Sequence, residues 1–145
     1  MEVQEIARVL GGGAVLGHPP GSLADLRHDI EAGLPVEALE EVAAHVHDHP
    51  ADRRSLMLRV VPEGSLKRRA KVGRLSPSES ERTARLAHII AHAEHVWRDP
   101  TKARAFLTTP HPELGDRTPI EVSVDEFGAR QVEAILDGIL YGLPA

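Results

Sequence analysis

The chain has 145 residues, 41% of them hydrophobic and 27% charged, with a formal net charge of −5, no cysteine, and only one Trp, one Tyr and two Phe. That length allows one domain, or two small helical units sharing a core, and excludes multidomain machinery. The lack of cysteine excludes disulfide frameworks, thiolate zinc sites and cysteine nucleophiles, and an aliphatic core with few aromatics suits helices packed on helices.

The first ten residues, "MEVQEIARVL", are acidic where a secretory leader is basic, and no apolar run approaches the roughly 18 residues of a membrane span. The expected location is the cytoplasm. The same ten residues have the makings of a short helix, but Gly11-Gly12-Gly13 and "GHPPG" at 17–21 then supply flexible backbone followed by donor-less proline. Segment 1–21 therefore reads as a loosely attached, flexible arm.

Ser22 opens a helix with a capping hydroxyl, Leu23, Leu26 and Ile30 follow at helical spacing, and Gly33 stops it. Pro35 starts "PVEALEEVAAHV", so the two segments form a helical pair joined by a tight turn. "ADRRSLMLRVV" gives a third short helix, its "LMLRVV" being the one stretch that also fits a strand, and Ser65 is expected to cap a fourth helix ending at Gly73. Ser76, Pro77 and Glu79 make a capping box that predicts a long helix over 77–98, packed along Leu86, Ile90, Ala93 and Trp97. Asp99-Pro100 starts the next helix, and "TTPHPELGDRTP" is rich in turn formers. Ser123 and Glu126 repeat the capping-box spacing, which predicts a last helix over 124–141 stopped by Gly142. The fold class is all-α.

On the fourth helix Lys67, Arg68, Arg69, Lys71 and Arg74 fall within eight positions, and no acid lies between Glu63 and Glu79. Residues 1–75 hold 10 Lys and Arg against 11 Asp and Glu, while 76–145 hold 7 against 11, so the acid is concentrated elsewhere. A cationic helix behind a helical pair is the electrostatic pattern of helix-turn-helix DNA binding, with these five residues as the DNA-binding candidates. A merely solvated basic face is the alternative.

His88, His92 and His95 share one helical side at i, i+4 and i+7, a spacing that suits metal ligands. They lie opposite Leu86, Ile90 and Trp97, however, and no HExxH carboxylate accompanies them, so a polar, solvent-facing surface explains them better. In "HVHDHP", His45 and His49 share a face and His47 points away, which fits helix-end histidines. No GxSxG and no phosphate-cradling glycine loop occurs, and "LGGGAVLG" lacks the strand that a dinucleotide site requires. No metal, cofactor or catalytic residue is expected.

On the last helix Val124, Gly128, Val132, Ile135, Leu136, Ile139 and Leu140 sweep an apolar arc of roughly 160°, wider than the approximately 100° that one core contact needs. Something beyond its own core is expected to cover the excess. Gly128 and Gly138 inside this helix suggest close backbone approach. The closing "YGLPA" is apolar along its length and anionic at its tip, the character of a short plug for a pocket that binds a charged ligand; a frayed end is the alternative.

"GRLSPSESERTARLA", "AEHVWRDPTKARAFLTTPHPELGDRTPIEV" and "FGARQVEAILDGILYG" together resemble the toxin-binding domain of Xre/MbcA/ParS-type antitoxins, partners of RES-domain toxins. The ordered constellation is Ser80-Glu81-Arg82, Asp99-Pro100, Ala103, Leu107, Pro110, Leu114-Gly115, Pro119, Gly128 and Gly142, with Phe106 where that family commonly has tryptophan. "GLPVEALEEVA" and "SLKRRAKVGRLS" are similar to the family's Xre-like N-terminal region, although "EGSLKRR" lacks a Ser-x-x-Thr opening.

The resemblance implies a Xre-like helix-turn-helix DNA-binding and dimerisation region at 22–75 and a helical toxin-binding domain at 76–145. It implies a non-enzymatic type II antitoxin that represses its own operon, forms a homodimer within the toxin complex, and blocks a toxin acting on NAD. The C-terminal end of such antitoxins approaches the toxin's active site, which maps toxin binding onto Tyr141, Gly142, Leu143, Pro144 and Ala145. Two other readings stay open: a stand-alone helix-turn-helix regulator with a C-terminal dimerisation domain, and a metal-dependent enzyme built on the three histidines of the long helix.

Overall fold

A computed structural model describes residues 3–142. Every regular element among them is helical: α1 (Val3–Val9), α2 (Gly12–Leu16), α3 (Leu23–Ala32), α4 (Val36–Val46), α5 (Pro50–Val60), α6 (Glu63–Val72), α7 (Pro77–Trp97), α8 (Pro100–Thr108), a 3-10 turn (Pro112–Leu114), α9 (Pro119–Val122) and α10 (Glu126–Leu140). "LMLRVV" is thus helical, lying in the second half of α5 and the residue after it.

The long helix α7 is the axis of the molecule, with α1, α3, α4, α8 and α10 packed around it. Its start follows from local chemistry. Ser76 Oγ accepts from Glu79 N–H at 3.2 Å, and Glu79 Oε1 accepts from Ser76 N–H at 2.8 Å, closing the capping box. Leu86, Ile90 and Ala93 are buried as the periodicity requires, and so are Ala84, Ala87, Ile89 and Ala91, because neighbours cover α7 on most sides.

α1 is not a loose arm. Val9 and Leu10 are fully buried, Val3, Ile6 and Ala7 are nearly so, and the helix packs on α7 and α4. Apolar side chains at i, i+3, i+6 and i+7 find a groove between those two helices, and burying them outweighs the flexibility of the glycines that follow. Even the glycine-rich segment contains α2, held beside α1 and α4.

Two turns lock together at the centre of the N-terminal half. Leu75 N–H donates to Leu34 O at 2.9 Å and Val36 N–H to Gly73 O at 3.1 Å, so the α3–α4 turn pairs with the α6–α7 turn. Ser80 Oγ, fully buried on α7, accepts from Leu34 N–H at 2.8 Å. Gly33 makes this contact possible: its φ is +92°, and a Cβ there would lie 2.6 Å from Leu75 O. α8 in turn closes the C-terminal end of α4, where Arg104 donates to Ala44 O at 3.2 Å and to His45 O at 3.1 Å while pairing with Asp48 at 2.7 Å.

Two expected starts moved. α6 begins at Glu63 after Pro62, and Ser65 lies inside its first turn, because proline already presets the helical entry. The capping box of the C-terminal part belongs to Thr118 and Glu121, which start α9, while Ser123 is buried and donates its hydroxyl to Pro119 O at 2.7 Å. α10 is capped by Asp125, whose Oδ1 accepts from Gly128 N–H at 2.7 Å.

Candidate functional site

α5 and α6 are joined through Val61 and Pro62, with Val61 fully buried at the corner. Of α6 only Leu66 is buried, and Lys67, Arg68, Ala70, Lys71 and Val72 all face solvent. The cationic cluster therefore sits on the most outlying long helix of the N-terminal half. Its five side chains do not act alike. Lys67, Arg68 and Lys71 project outward, Arg68 touching only Ser65 Oγ at 3.3 Å.

Arg69 turns the other way and pairs with Glu79 at 2.8 Å, and Arg74 is exposed but donates one guanidinium N–H to Gly33 O at 2.7 Å. Glu79 is thus a local neutralising acid for Arg69, brought across the α6–α7 turn. Spacing on one helix gave no sign of it. The signal was present in the capping box, which fixes the Glu79 carboxylate beside the end of α6.

The histidines of α7 do not form a free polar surface. α10 covers this side, bringing Glu133 within 3.8 Å of His88 Nδ1 and Asp137 within 3.3 Å of His92 Nε2, and the two imidazoles stack with centroids 6.2 Å apart. Burial pushes the His88 pKa down from its ordinary value; the Glu133 carboxylate opposes the shift and His92 adds to it. His95 alone of the three is exposed. Among the described residues no three His, Asp or Glu side chains are arranged to hold a metal ion. In the other histidine run, His45 Nδ1 lies 3.0 Å from Glu41 O, and His49 caps α5 by accepting from Ala51 N–H at 3.3 Å.

At the C-terminal end, α10 buries Gly128, Ala129, Val132, Ile135 and Leu136 against α7 and α9. Gly128 is required there: a Cβ would sit 1.8 Å from Val122 O. Ile139 is 40% exposed, so the expected apolar arc is wider than its own core covers. Tyr141, at the end of the helix, is 71% exposed, and Gly142 follows with a φ of +66°. Leu143, Pro144 and Ala145, the rest of the expected plug, lie outside the described residues. Beside α7, Trp97, Phe106 and His111 line a shallow apolar groove of about 400 Å³, the rings 6.0 and 6.3 Å apart.

These two regions each match a family. A model of the antitoxin Xre-like helix-turn-helix domain matches residues 25–88, and one of the antitoxin Xre/MbcA/ParS C-terminal toxin-binding domain matches residues 92–142. The chain belongs to the Xre-type antitoxin family. An Antitoxin Xre of Yersinia enterocolitica is 28% identical over 130 residues, spanning 88% of this chain and 86% of that protein. An Antitoxin Xre of Pseudomonas putida is 34% identical over 84 residues, spanning 57% of this chain and 53% of that protein.

As an Xre-type antitoxin the chain is a regulatory protein and not an enzyme, with a helix-turn-helix domain that implies DNA and a C-terminal domain that implies a toxin partner. The two matches meet inside α7, at residues 88 and 92, so one continuous helix carries the end of the first match and the start of the second. No helix among the described residues is long and apolar enough to cross a membrane.

Proposed function

We propose that this Xre-type antitoxin, acting in the cytoplasm, neutralises a RES-domain toxin acting on NAD by placing its C-terminal residues, Tyr141 to Ala145, in the toxin's active site. The observation that carries the reading is the exposure of Tyr141, 71%, at the end of a helix whose other face is anchored in the core. A helix anchored in the core and ending in the exposed Tyr141 and Gly142 suits delivery of a short apolar segment to another protein. The division into a DNA-binding and dimerisation part up to residue 75 and a toxin-binding part from residue 76 belongs to the same proposal.

The antitoxin further represses its own operon as a dimer, with Lys67, Arg68 and Lys71 on α6 meeting DNA phosphates and base edges and Arg74 at its edge. Arg69 contributes by fixing the helix against α7 through Glu79. The outward placement of the first three side chains supports this assignment. Phosphate contacts of this kind make binding fall steeply with salt.

Co-expression with a RES-domain toxin tests the first part. Full-length antitoxin restores growth, and a chain lacking 141–145 does not. Continued full protection by the shortened chain overturns the plug.

A further inference from the structure

The chain has one Trp, one Tyr and two Phe, all of them within the segment that matches the toxin-binding domain, and none is buried. Phe127 and Tyr141 are 72% and 71% exposed, and both stand on α10 or at its end. At 100° per residue, Phe127, Ala134 and Tyr141 recur at intervals of seven and fall within about 40° of one another, with Gly138 beside them. They lie opposite the buried Val132 and Leu136, so α10 is apolar on two sides. At 1.5 Å per residue the outer stripe is about 21 Å long: two aromatic rings with the small Ala134 and Gly138 between them.

Exposed aromatics aligned in this way are costly in water and are the side chains that dominate protein interfaces when covered. The small residues between the rings leave room for another backbone to approach. The charge of α10 speaks against a second copy of the same helix as the cover, since Glu126, Glu133 and Asp137 stand against Arg130 alone and like-charged helices repel. The stripe also runs directly into the terminal residues assigned to the toxin's active site, and lies inside the toxin-binding match.

We infer that the outer face of α10, from Phe127 through Ala134 and Gly138 to Tyr141, is a second toxin contact that supplies affinity, while the plug, which begins at Tyr141 where the two meet, supplies inhibition. The partner surface is an apolar ridge on the toxin with neutral or basic surroundings. This rests on the reading of the C-terminal end as a toxin plug, and it divides that activity into two separable parts.

The test uses the full chain and a purified RES-domain toxin, with titration calorimetry for binding and NAD consumption for inhibition. Phe127→Ala and Ala134→Glu, both at exposed positions, are expected to weaken binding by about 30-fold or more with unchanged melting temperatures. A chain lacking 142–145 is expected to bind within a few-fold of wild type and to leave the toxin active. Binding by wild type that is unchanged in both substitutions overturns the second contact while leaving the plug intact. A wild-type antitoxin that binds no RES-domain toxin overturns the plug and this inference together. An antitoxin that is dimeric alone, becomes monomeric on Phe127→Ala and still binds toxin fully assigns the face to self-association and overturns the inference.

Discussion

Arg69 donates through Nε to Glu79 Oε1 at 2.8 Å, and the same carboxylate oxygen caps α7 by accepting from Ser76 N–H at 2.8 Å. One buried acid therefore ties the start of the central helix to the end of the cationic helix. Glu79→Ala removes the reciprocal half of the capping box and leaves a partly buried guanidinium without its partner, a loss on the order of 2–3 kcal/mol. Urea denaturation measures it. Burial alone would raise the Glu79 pKa, but hydrogen bonds from Arg69 and Ser76 outweigh burial and hold it below its ordinary 4.5. With the folded value depressed, the pair stabilises the protein above pH 4.5, and that contribution is lost as pH falls below it.

The division of the cationic cluster has a direct readout. Lys67→Ala, Arg68→Ala and Lys71→Ala are each expected to reduce the slope of log affinity against log salt for operator DNA by about 1 while leaving the melting temperature unchanged. Arg69→Ala is expected to lower stability by about 1–2 kcal/mol, because Glu79 then stays buried with one partner fewer. Equal salt slopes for wild type and the three outer variants would remove these residues from the phosphate contacts.

Much of this architecture was legible in local sequence. Ser22, the Ser76 to Glu79 box and Asp99-Pro100 name their own helix starts, because a capping side chain bonds within three residues of itself. α1 was legible as a short helix but its packing was not, since its place depends on a groove made by α4 and α7, distant in sequence, while the adjacent glycines and prolines argue locally for flexibility. The box at Ser123 and Glu126 failed for a related reason: Thr118 with Glu121 has the same spacing, and Asp125 is an equally good cap, so packing decides. The sequence exposed the cationic cluster but not its inner partner, and the width of the α10 arc but not its outer aromatic stripe. Phe127 and Tyr141, two heptads apart, were the signal for that second face.

Glycine substitutions separate packing from propensity. Gly128→Ala would place a methyl group 1.8 Å from Val122 O, forcing the α9–α10 corner apart. A loss of about 3 kcal/mol or more, or insoluble protein, is expected. Gly64 lies in the first turn of α6 with open space around its Cβ direction, so Gly64→Ala is expected to raise stability by up to about 1 kcal/mol. Thermal melts of the two variants check both signs.

The histidines of the α7–α10 seam predict a pH dependence of the opposite kind from a salt bridge that needs a charged imidazole. Burial lowers the His88 pKa, and burial also lowers that of His47, helped by Arg104 and Arg53 and opposed by Asp52. The unfolded chain then takes up these protons first, so stability falls as pH drops through 6.5. His88→Gln is expected to flatten part of that decline, as read from denaturation midpoints across the same range. An unchanged profile would show that His88 is not responsible.

The plug is most directly tested by NAD consumption in a reconstituted complex of the antitoxin with a RES-domain toxin. Full-length antitoxin is expected to abolish turnover, and a chain lacking 142–145 is expected to remain bound while turnover returns to at least half that of free toxin. A bound, shortened antitoxin that still silences the toxin completely would show that inhibition does not come from the C-terminal end.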